Sequence, residues 1–291
     1  MLLNFCYSMN IFHFKKDLQE SINALKSKKC TIGLVPTMGA LHQGHLSLTK
    51  KGLDQTDFVV VSIFVNPTQF DNPKDLQKYP RTLESDMDLL QTLSHDKIIV
   101  YAPSVEDLYG NDVSSTHFDY DGLEHEMEGR FRTGHFDGVG TIVKRLFEIV
   151  NPDNAYFGEK DFQQLMIIKK LVEKYHIPVK VIGCSIHREK DGLAMSSRNV
   201  RLSPERRESA PFIYKTLVEA KTRFKTQSGA KITKWIAQQF SKHDLLELEY
   251  FIIADIKTLK TVKRKSGKKQ YRGFIAVYAD QIRLIDNIAL N

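Results

Sequence analysis

The sequence predicts an α/β protein in which a doubly wound parallel sheet is followed by a smaller C-terminal α+β domain. In the first two thirds of the chain, short and almost continuously apolar runs alternate with segments of helical periodicity. This order is typical of buried parallel strands joined by right-handed crossover helices. After about residue 185 the order changes to helices followed by strands. We therefore expect one domain over residues 1–185 and a second over residues 186–291.

Five apolar runs are predicted to be the strands of the first domain. Each is short and nearly free of charge, which is the pattern of a strand that is covered on both faces. The runs are TIGLV (31–35), FVVVSIFV (58–65), KIIVYA (97–102), NAYFG (154–158) and VKVIGC (179–184).

Helices are predicted where apolar residues recur at i, i+3, i+4 and i+7. The pattern is clear in GVGTIVKRLFEIV (138–150) and in KDFQQLMIIKKLVEKY (160–175). In the second domain, Ser203-Pro204 is a good cap and first turn for one helix within residues 201–224. A second helix is expected over ITKWIAQQF (232–240), before three strands: LEYFIIADI (248–256), GFIAVYA (273–279) and IRLIDNI (282–288).

Composition narrows the class of protein. The 291 residues are 42% hydrophobic, which is enough for a sizeable core, and no run of eighteen apolar residues predicts a membrane span. The first ten residues lack a basic region and a clear cleavage site, so we expect no signal peptide and a domain that starts near Met9. The three dispersed cysteines, Cys6, Cys30 and Cys184, favour buried thiols in a reducing cytoplasm over a disulfide framework or a zinc site.

The net charge of +7 is local rather than spread over the chain. Residues 257–272 contain eight Lys or Arg and no acidic residue, and the remaining 34 basic residues nearly balance 35 acidic ones. A clustered excess of this kind is more often a solvated loop than a binding groove. We therefore expect no nucleic-acid partner.

The segment VPTMGALHQGHLSL (35–48) places two histidines directly after a predicted strand. Ligands of doubly wound sheets bind beyond the carboxyl ends of strands, against helix N-termini whose free N–H groups attract phosphate. His42 and His45, three residues apart, are expected on one helical face, where both imidazoles point at one phosphate group. A triphosphate beside them would raise their pKa, and the imidazolium would donate hydrogen bonds to oxygens that gain charge. The alternative is that the two histidines only cap or pack.

A second segment, GLAMSSRN (192–199), offers two hydroxyl groups and a guanidinium to phosphate oxygens. Together, H-x-G-H and this segment resemble the two signature motifs of the HIGH-type nucleotidyltransferase superfamily. Longer segments sharpen the resemblance, among them SIFVNPTQF, YPRTLESD, GHFDGVGTIVKRLFEIVNPDNAYFGEKDFQQL, REKDGLAMSSRN and RLIDNI. From about Met9 to Ile288 the chain is similar to the pantoate–β-alanine ligase (pantothenate synthetase) family.

This resemblance implies a Rossmann-like N-terminal domain and a smaller domain that closes over the active site. It also implies an ATP- and Mg²⁺-dependent condensation of (R)-pantoate with β-alanine. The reaction proceeds through a pantoyl-adenylate and yields pantothenate, AMP and pyrophosphate. A cytoplasmic homodimer is a further implication.

The same resemblance assigns residues to ATP. His42, His45 and Lys160 are expected to be catalytic, with His45 as a proton donor and Lys160 as a mobile charge near the phosphates. The expected ATP-binding residues are Met38, Gly39, Ala40, Leu41, His42, Gln43, Gly44, His45, Gly158, Glu159, Lys160, Asp161, His187, Met195, Ser196, Ser197 and Arg198.

Other residues are expected to bind the organic substrates and the metal. Gln69 is similar to the family glutamine that binds pantoate and β-alanine, and Gln164 is similar to a second pantoate ligand. An amide suits this role because it both accepts from hydroxyls and donates to a carboxylate. The further substrate-binding residues are expected to be Asn66, Arg132 and His135. Asp86 is the candidate magnesium ligand, with a helix-surface acid as the alternative.

Two positions depart from the family pattern. Thr133 replaces a proline in R-x-G-H-F, which predicts a looser loop, and His187 stands where the family commonly has valine.

Two other functions are compatible with parts of the sequence. The first is another adenylate-forming enzyme, such as a nicotinate-type nucleotidyltransferase or a tRNA synthetase, although the chain lacks an anticodon-sized domain. The second is a nucleic-acid-binding module that uses residues 257–272, where Tyr271 is the only aromatic residue for base stacking.

Overall fold

The protein contains two β-sheets, which the computed structural model describes over residues 9–71, 73–262 and 264–291. The first is a six-stranded parallel sheet, and the second is a three-stranded antiparallel sheet. The strands are β1 (Asn10–Phe12), β2 (Ile32–Thr37), β3 (Phe58–Ile63), β4 (Ile98–Tyr101), β5 (Asn154–Gly158), β6 (Lys180–Cys184), β7 (Glu247–Asp255), β8 (Tyr271–Ala279) and β9 (Ile282–Ala289).

Helices connect and cover the strands. They are α1 (Lys15–Ser27), α2 (Gln43–Leu53), α3 (Pro73–Lys78), α4 (Leu83–Gln91), α5 (Val105–Tyr109), α6 (Glu128–Phe131), α7 (His135–Val150), α8 (Phe162–Lys174), α9 (Pro204–Ser209), α10 (Phe212–Phe224) and α11 (Gly229–Phe240). Short 3-10 turns lie at Pro67–Gln69, Leu123–His125, Glu159–Asp161 and Asn199–Arg201.

The parallel sheet has the order β1-β4-β3-β2-β5-β6, so the chain winds outward in both directions from β2. This confirms the predicted Rossmann-like, doubly wound sheet and all five of its predicted strands. The order reverses between β2 and β5, and a crevice is expected beyond their carboxyl ends. The sequence did not predict β1, because three half-exposed residues at a sheet edge carry no apolar run.

Apolar side chains cover both faces of the parallel sheet. On one face, α1, α7 and α8 bury residues such as Leu18, Val143 and Ile168. On the other, α2 and α4 contribute Leu48 and Leu90 to a separate cluster. The sheet is therefore a buried layer between two layers of helices, and only the ends of its strands remain open for a ligand.

The C-terminal strands and helices follow the prediction with one correction. The helix predicted within residues 201–224 is two helices, α9 and α10, which meet at Pro211. Proline lacks an N–H and its ring clashes with the preceding turn, so one helix does not continue through it. Helices α10 and α11 pack on the antiparallel sheet in their own core, whereas Ala254 and Phe274 join the core of the parallel sheet.

The structure also shows where the basic segment and two of the cysteines lie. The basic segment joins β7 to β8, and its Lys269 pairs with Asp255 at 3.1 Å. Cys184 is buried and Cys30 is partly buried, while Cys6 lies outside the described residues. Within the part of the chain that the structure describes, no helix is long and apolar enough to cross a membrane.

Helix α7 is packed unusually closely against the turn Pro67–Gln69. A Cβ atom on Gly138 would lie only 2.2 Å from the carbonyl oxygen of Thr68, so a side chain has no room there. Asn66 ties the turn to the helix, because its Nδ2 donates to the Gly138 carbonyl at 3.2 Å. Gly138 therefore sets the position of the turn that carries Gln69.

We expect Gly138→Ala to lower the free energy of unfolding by about 1–3 kcal/mol, since the methyl group must push two backbone segments apart. Gly229→Ala is the matched control, because a Cβ atom there meets nothing closer than 3.7 Å. We expect this control to leave stability unchanged or to raise it by up to about 1 kcal/mol. Urea unfolding of both variants measures the difference, and a Gly138→Ala variant as stable as the parent would refute the packing argument.

Candidate active site

A cleft of about 240 Å³ opens at the carboxyl ends of β2 and β5, where the strand order reverses. It adjoins a second cleft of about 450 Å³ that extends toward the antiparallel sheet, and residues such as Lys160, Gln164 and Arg198 line both. The predicted site residues that line the first cleft are Met38, His42, Gly44, His45, Asn66, Gln69, Arg132, His135, Gly158, Lys160, Asp161, Gln164, His187, Met195, Ser196, Ser197 and Arg198.

The two histidines of H-x-G-H form the N-terminal cap of α2. His42 is extended rather than helical, and its Nδ1 accepts from the main-chain N–H of Gly44 at 3.1 Å. His45 reaches back so that its Nδ1 accepts from the N–H of His42 at 3.4 Å. The rings lie together, with centroids 4.1 Å apart. Both rings lie on one side of the helix start and line the cleft, as expected, but His42 is the cap of the helix and only His45 is in its first turn.

This capping fixes which ring nitrogen carries hydrogen. A nitrogen that accepts a hydrogen bond holds a lone pair, so in a neutral ring the hydrogen must be on Nε2. Burial, together with the charge of Lys160 nearby, lowers the pKa of His42 to about 4. Burial and the adjacent His42 lower the pKa of His45 to about 3. In the free protein at neutral pH, both imidazoles are therefore neutral Nε2–H donors at the wall of the cleft, and not imidazolium ions.

The sign of the resulting pH dependence follows from linkage. An unfolded histidine titrates near 6.5, whereas these two titrate at about 4 and about 3 when folded. Below pH 6.5 the unfolded chain therefore binds more protons than the folded chain. Above pH 6.5 both states hold neutral rings, so stability is at its full value there, and it falls progressively as the pH drops from 6.5 through about 4 and about 3.

Asp86 has a different environment from that expected of a metal ligand. It is 1% exposed, and its carboxylate accepts from the N–H groups of Ala40 at 3.0 Å and Leu41 at 2.7 Å. Thr82 donates to it as well, at 3.2 Å. It lines neither cleft. In the structure this carboxylate holds the turn before α2, where Gly39 has a φ of +79°, and its assignment to magnesium stays a prediction.

The serine–arginine loop lies against the H-x-G-H segment. Ser197 donates from its Oγ to the carbonyl of Ala40 at 3.0 Å, across 157 residues of sequence. The two segments are therefore in direct contact, and both line the same cleft. Asp75 of α3 binds Arg198 at 2.9 Å and Arg201 at 3.1 Å, so one carboxylate holds two guanidinium groups at the edge of the cleft.

The groups expected to bind the organic substrates form one connected cluster. Gln69 places its Nε2 3.0 Å from the sulfur of Met38, and its Oε1 accepts from Asn66 at 3.2 Å. Its main-chain carbonyl accepts from Nδ1 of His135 at 2.8 Å and from Arg132 at 3.2 Å. Burial and the charge of Arg132 lower the pKa of His135 to about 4.

Asn66 supports this cluster and does not offer a free group to a ligand. It is 1% exposed, its Oδ1 accepts from Tyr109 at 2.6 Å, and its amide hydrogens go to Gln69 and to Gly138. We interpret Asn66 as the residue that orients Gln69. Its predicted role as a direct substrate ligand is not supported by this geometry.

Several predicted ATP-binding residues lie beside the cleft and do not line it. Gln43 is exposed on the first turn of α2, and Glu159 binds Arg272 of β8 at 3.0 Å. The turn just before the histidines is formed by Gly39, Ala40 and Leu41, and Asp86 holds it through the N–H groups of Ala40 and Leu41.

The sequence analysis missed two groups of residues around the cleft. One is Asp75, which lies 123 residues before its partner Arg198. The other is the Asp286–Asn287 pair of β9, of which Asn287 contacts the turn that carries Lys160. Both act across long sequence separations, and the RLIDNI segment was the one sequence signal for the second.

A doubly wound sheet with a histidine-capped helix at its switch point, faced by a serine–arginine loop, defines a nucleotide-binding enzyme of the HIGH type. The comparisons with known proteins then specify the family. The chain belongs to the pantoate–β-alanine ligase family, whose model, described as Pantoate-beta-alanine ligase, matches residues 10–289.

Individual relatives agree with this family over nearly the whole chain. A pantothenate synthetase of Flavobacterium psychrophilum is 58% identical over 282 residues, which cover 97% of this chain and 100% of that protein. The crystal structure of a pantothenate synthetase from Thermus thermophilus is 37% identical with a TM-score of 0.88, and covers 97% of this chain and 99% of that one. A pantoate–β-alanine ligase from Francisella tularensis, described as complexed with β-γ ATP and β-alanine, is 35% identical with a TM-score of 0.75, covering 97% and 98%.

We expect Gly44→Ala to lower turnover by about 10- to 100-fold, a loss of about 1.4–2.7 kcal/mol of transition-state stabilisation. A Cβ atom on Gly44 would lie 2.8 Å from both Nδ1 and Cε1 of His42, so the ring must leave its capping position. Lys50→Ala on the exposed side of the same helix is the control, and we expect it to keep normal turnover. Steady-state kinetics with thermal melts checks this; normal turnover in Gly44→Ala would show that the ring position is unimportant.

Proposed function

We propose that the cleft binds ATP with its phosphates between the Nε2–H groups of His42 and His45 and the Ser196–Arg198 loop. The chain is a pantoate–β-alanine ligase, which condenses pantoate with β-alanine at the expense of ATP. The observation that most strongly supports the placement is the Ser197–Ala40 hydrogen bond, because it brings the two phosphate-binding motifs to one cleft.

The proposed reaction has two steps and needs no protein nucleophile. A carboxylate oxygen of (R)-pantoate attacks the α-phosphorus of ATP, the bond to the bridging oxygen breaks, and pyrophosphate leaves. The amine of β-alanine then attacks the carbonyl carbon of the pantoyl-adenylate, AMP leaves, and the amide of pantothenate remains. The protein's task is to position the reactants and to offset charge in a cleft that excludes water.

Charge develops on phosphate oxygens during the first step. The two Nε2–H groups are held in place by their caps, so they donate to these oxygens without having to reorganise. Lys160 lines both clefts, and its side chain is 19% exposed. Arg198 binds Asp75 with one part of its guanidinium group and offers its other N–H groups to the phosphates. We propose that these four side chains stabilise the leaving pyrophosphate.

Pantoate is proposed to bind at the other end of the cleft, between Gln69 and Gln164. Both amides line the first cleft, and the amide of Gln69 is oriented by Asn66. Arg132 and His135 hold the main-chain carbonyl of Gln69, which fixes the turn from the side of α7.

Magnesium is proposed to enter with the phosphates of ATP. Among the described residues there is no group of three metal-ligating side chains, so the protein does not offer a dedicated cage. Mg²⁺ commonly keeps several waters and uses one carboxylate or two beside the phosphates. Asp161 fits this need, because it lines both clefts next to Lys160. The bound ion would neutralise phosphate charge.

The family resemblance supports two further proposals. We propose that the active form is a homodimer in the cytoplasm, which light scattering would check through the mass of two chains. We also propose that residues 186–291 act as a domain that closes over residues 1–185.

We expect the purified protein to convert ATP, pantoate and β-alanine to pantothenate and AMP, as measured by mass spectrometry. His45→Ala and Lys160→Ala should each lower turnover by about 10²- to 10³-fold with the fold retained, because each removes a donor to the transition state. Pantoate should support ATP–pyrophosphate exchange without β-alanine. Exchange that depends on an amino acid and not on pantoate, or near-normal rates in both variants, would refute the proposal.

A further inference from the structure

The last strand of the antiparallel sheet contacts the turn that carries Lys160. Asn287 of β9 is 2% exposed, and its Nδ2 donates to the carbonyl of Glu159 at 2.9 Å and to the carbonyl of Lys160 at 2.8 Å. An amide nitrogen has two hydrogens, so this one group satisfies both carbonyls. The 3-10 turn Glu159–Asp161 is therefore bound from outside its own sheet.

The position of Asn287 is itself fixed by two ion pairs. Its Oδ1 accepts from Arg272, and the same guanidinium binds the carboxylate of Glu159 at 3.0 Å. Its main-chain N–H donates to Asp286 at 2.7 Å, and both oxygens of that carboxylate bind Arg188, at 2.7 and 2.9 Å. With these bonds made, the amide of Asn287 has one orientation in which its oxygen and its nitrogen are both paired.

We propose that Asn287 is a positioning residue for the reaction, which acts by holding the main chain of Lys160 so that its ammonium group reaches the phosphates. This rests on the function proposed above for Lys160. A lysine side chain is long and mobile, so its useful reach depends on where its backbone is held. Asn287 supplies that fixed point, and the antiparallel sheet thereby forms part of the ATP site.

A consequence concerns motion of the C-terminal part of the chain. The antiparallel sheet cannot move away from the Lys160 turn without breaking both hydrogen bonds of Asn287, which would leave the carbonyls of Glu159 and Lys160 without these donors. Any closure of residues 186–291 therefore carries the Lys160 turn along with it.

The test is a double-mutant cycle between Asn287 and Lys160. Asn287→Ser shortens the side chain and removes the two amide donors. We expect it to lower kcat/KM for ATP by about 10- to 100-fold while KM for pantoate changes less than about twofold. In a Lys160→Ala background the same change should cost less than about twofold, because the group being positioned is already absent.

Two comparisons separate positioning from general destabilisation. Asn291→Ala is the matched control, since Asn291 also bonds the antiparallel sheet, through Tyr271 and Lys269, but is exposed and lines neither cleft. It should keep normal kinetics.

If Asn287→Ser does not fold, Asn287→Asp is the second variant, because it keeps the shape of the side chain and loses the amide donors. Should neither variant be isolated folded, Arg272→Lys provides the test, since it weakens the bond that orients Asn287, and we expect a smaller loss in the same direction.

A KM for pantoate that rises as much as kcat/KM for ATP falls, or losses that multiply in the Lys160→Ala background, would overturn the positioning role. Calorimetric binding of ATP to the same variants separates this outcome from failure of the proposed reaction. If the parent protein binds ATP but makes no pantothenate, the proposed function fails. If Asn287→Ser weakens ATP binding in the parent protein but not in the Lys160→Ala background, the positioning of Lys160 by Asn287 is still supported.

Discussion

Two hydrogen bonds from the main chain to the Nδ1 atoms of His42 and His45 determine the chemistry of the cleft. They leave each neutral ring with its hydrogen on Nε2, and burial keeps both rings neutral in the free protein. The histidines therefore combine a structural role with a functional one: the bond that caps the helix also defines the donor. Gly44 is part of this constraint, because a side chain at that position would take the space of the His42 ring.

The surroundings of the helix cap extend this constraint to the rest of the site. Asp86 binds the turn before the cap, and Ser197 binds the outward carbonyl of Ala40 in the same turn. Asp75 then holds Arg198 at the edge of the cleft. The positions of the donors around the proposed phosphate site thus depend on the carboxylates of Asp86 and Asp75, which is typical of a site organised before its substrate arrives.

The sequence predicted the elements and the motifs better than the contacts between them. Buried parallel strands and H-x-G-H are local patterns, so periodicity and spacing were sufficient to locate them. The pairing of Asp75 with Arg198 depends on how α3 folds over the cleft, and no local pattern encodes it. Asp86 was predicted to bind a metal because it is an acid near a phosphate site, and the sequence could not show that two N–H groups also give this buried carboxylate structural partners. The helix break at Pro211 was not predicted, although a proline inside a helical segment is itself a signal of a break.

The chemical state of the two imidazoles is the claim on which this account depends most directly. Nitrogen-15 NMR of the histidine rings in the free protein measures it, with His42 and His45 assigned from single-residue variants. We expect both rings at pH 7 to be neutral with hydrogen on Nε2, and to remain so down to about pH 5, since their pKa values are about 4 and about 3. Hydrogen on Nδ1 of either ring, or titration near pH 6.5, would contradict the account.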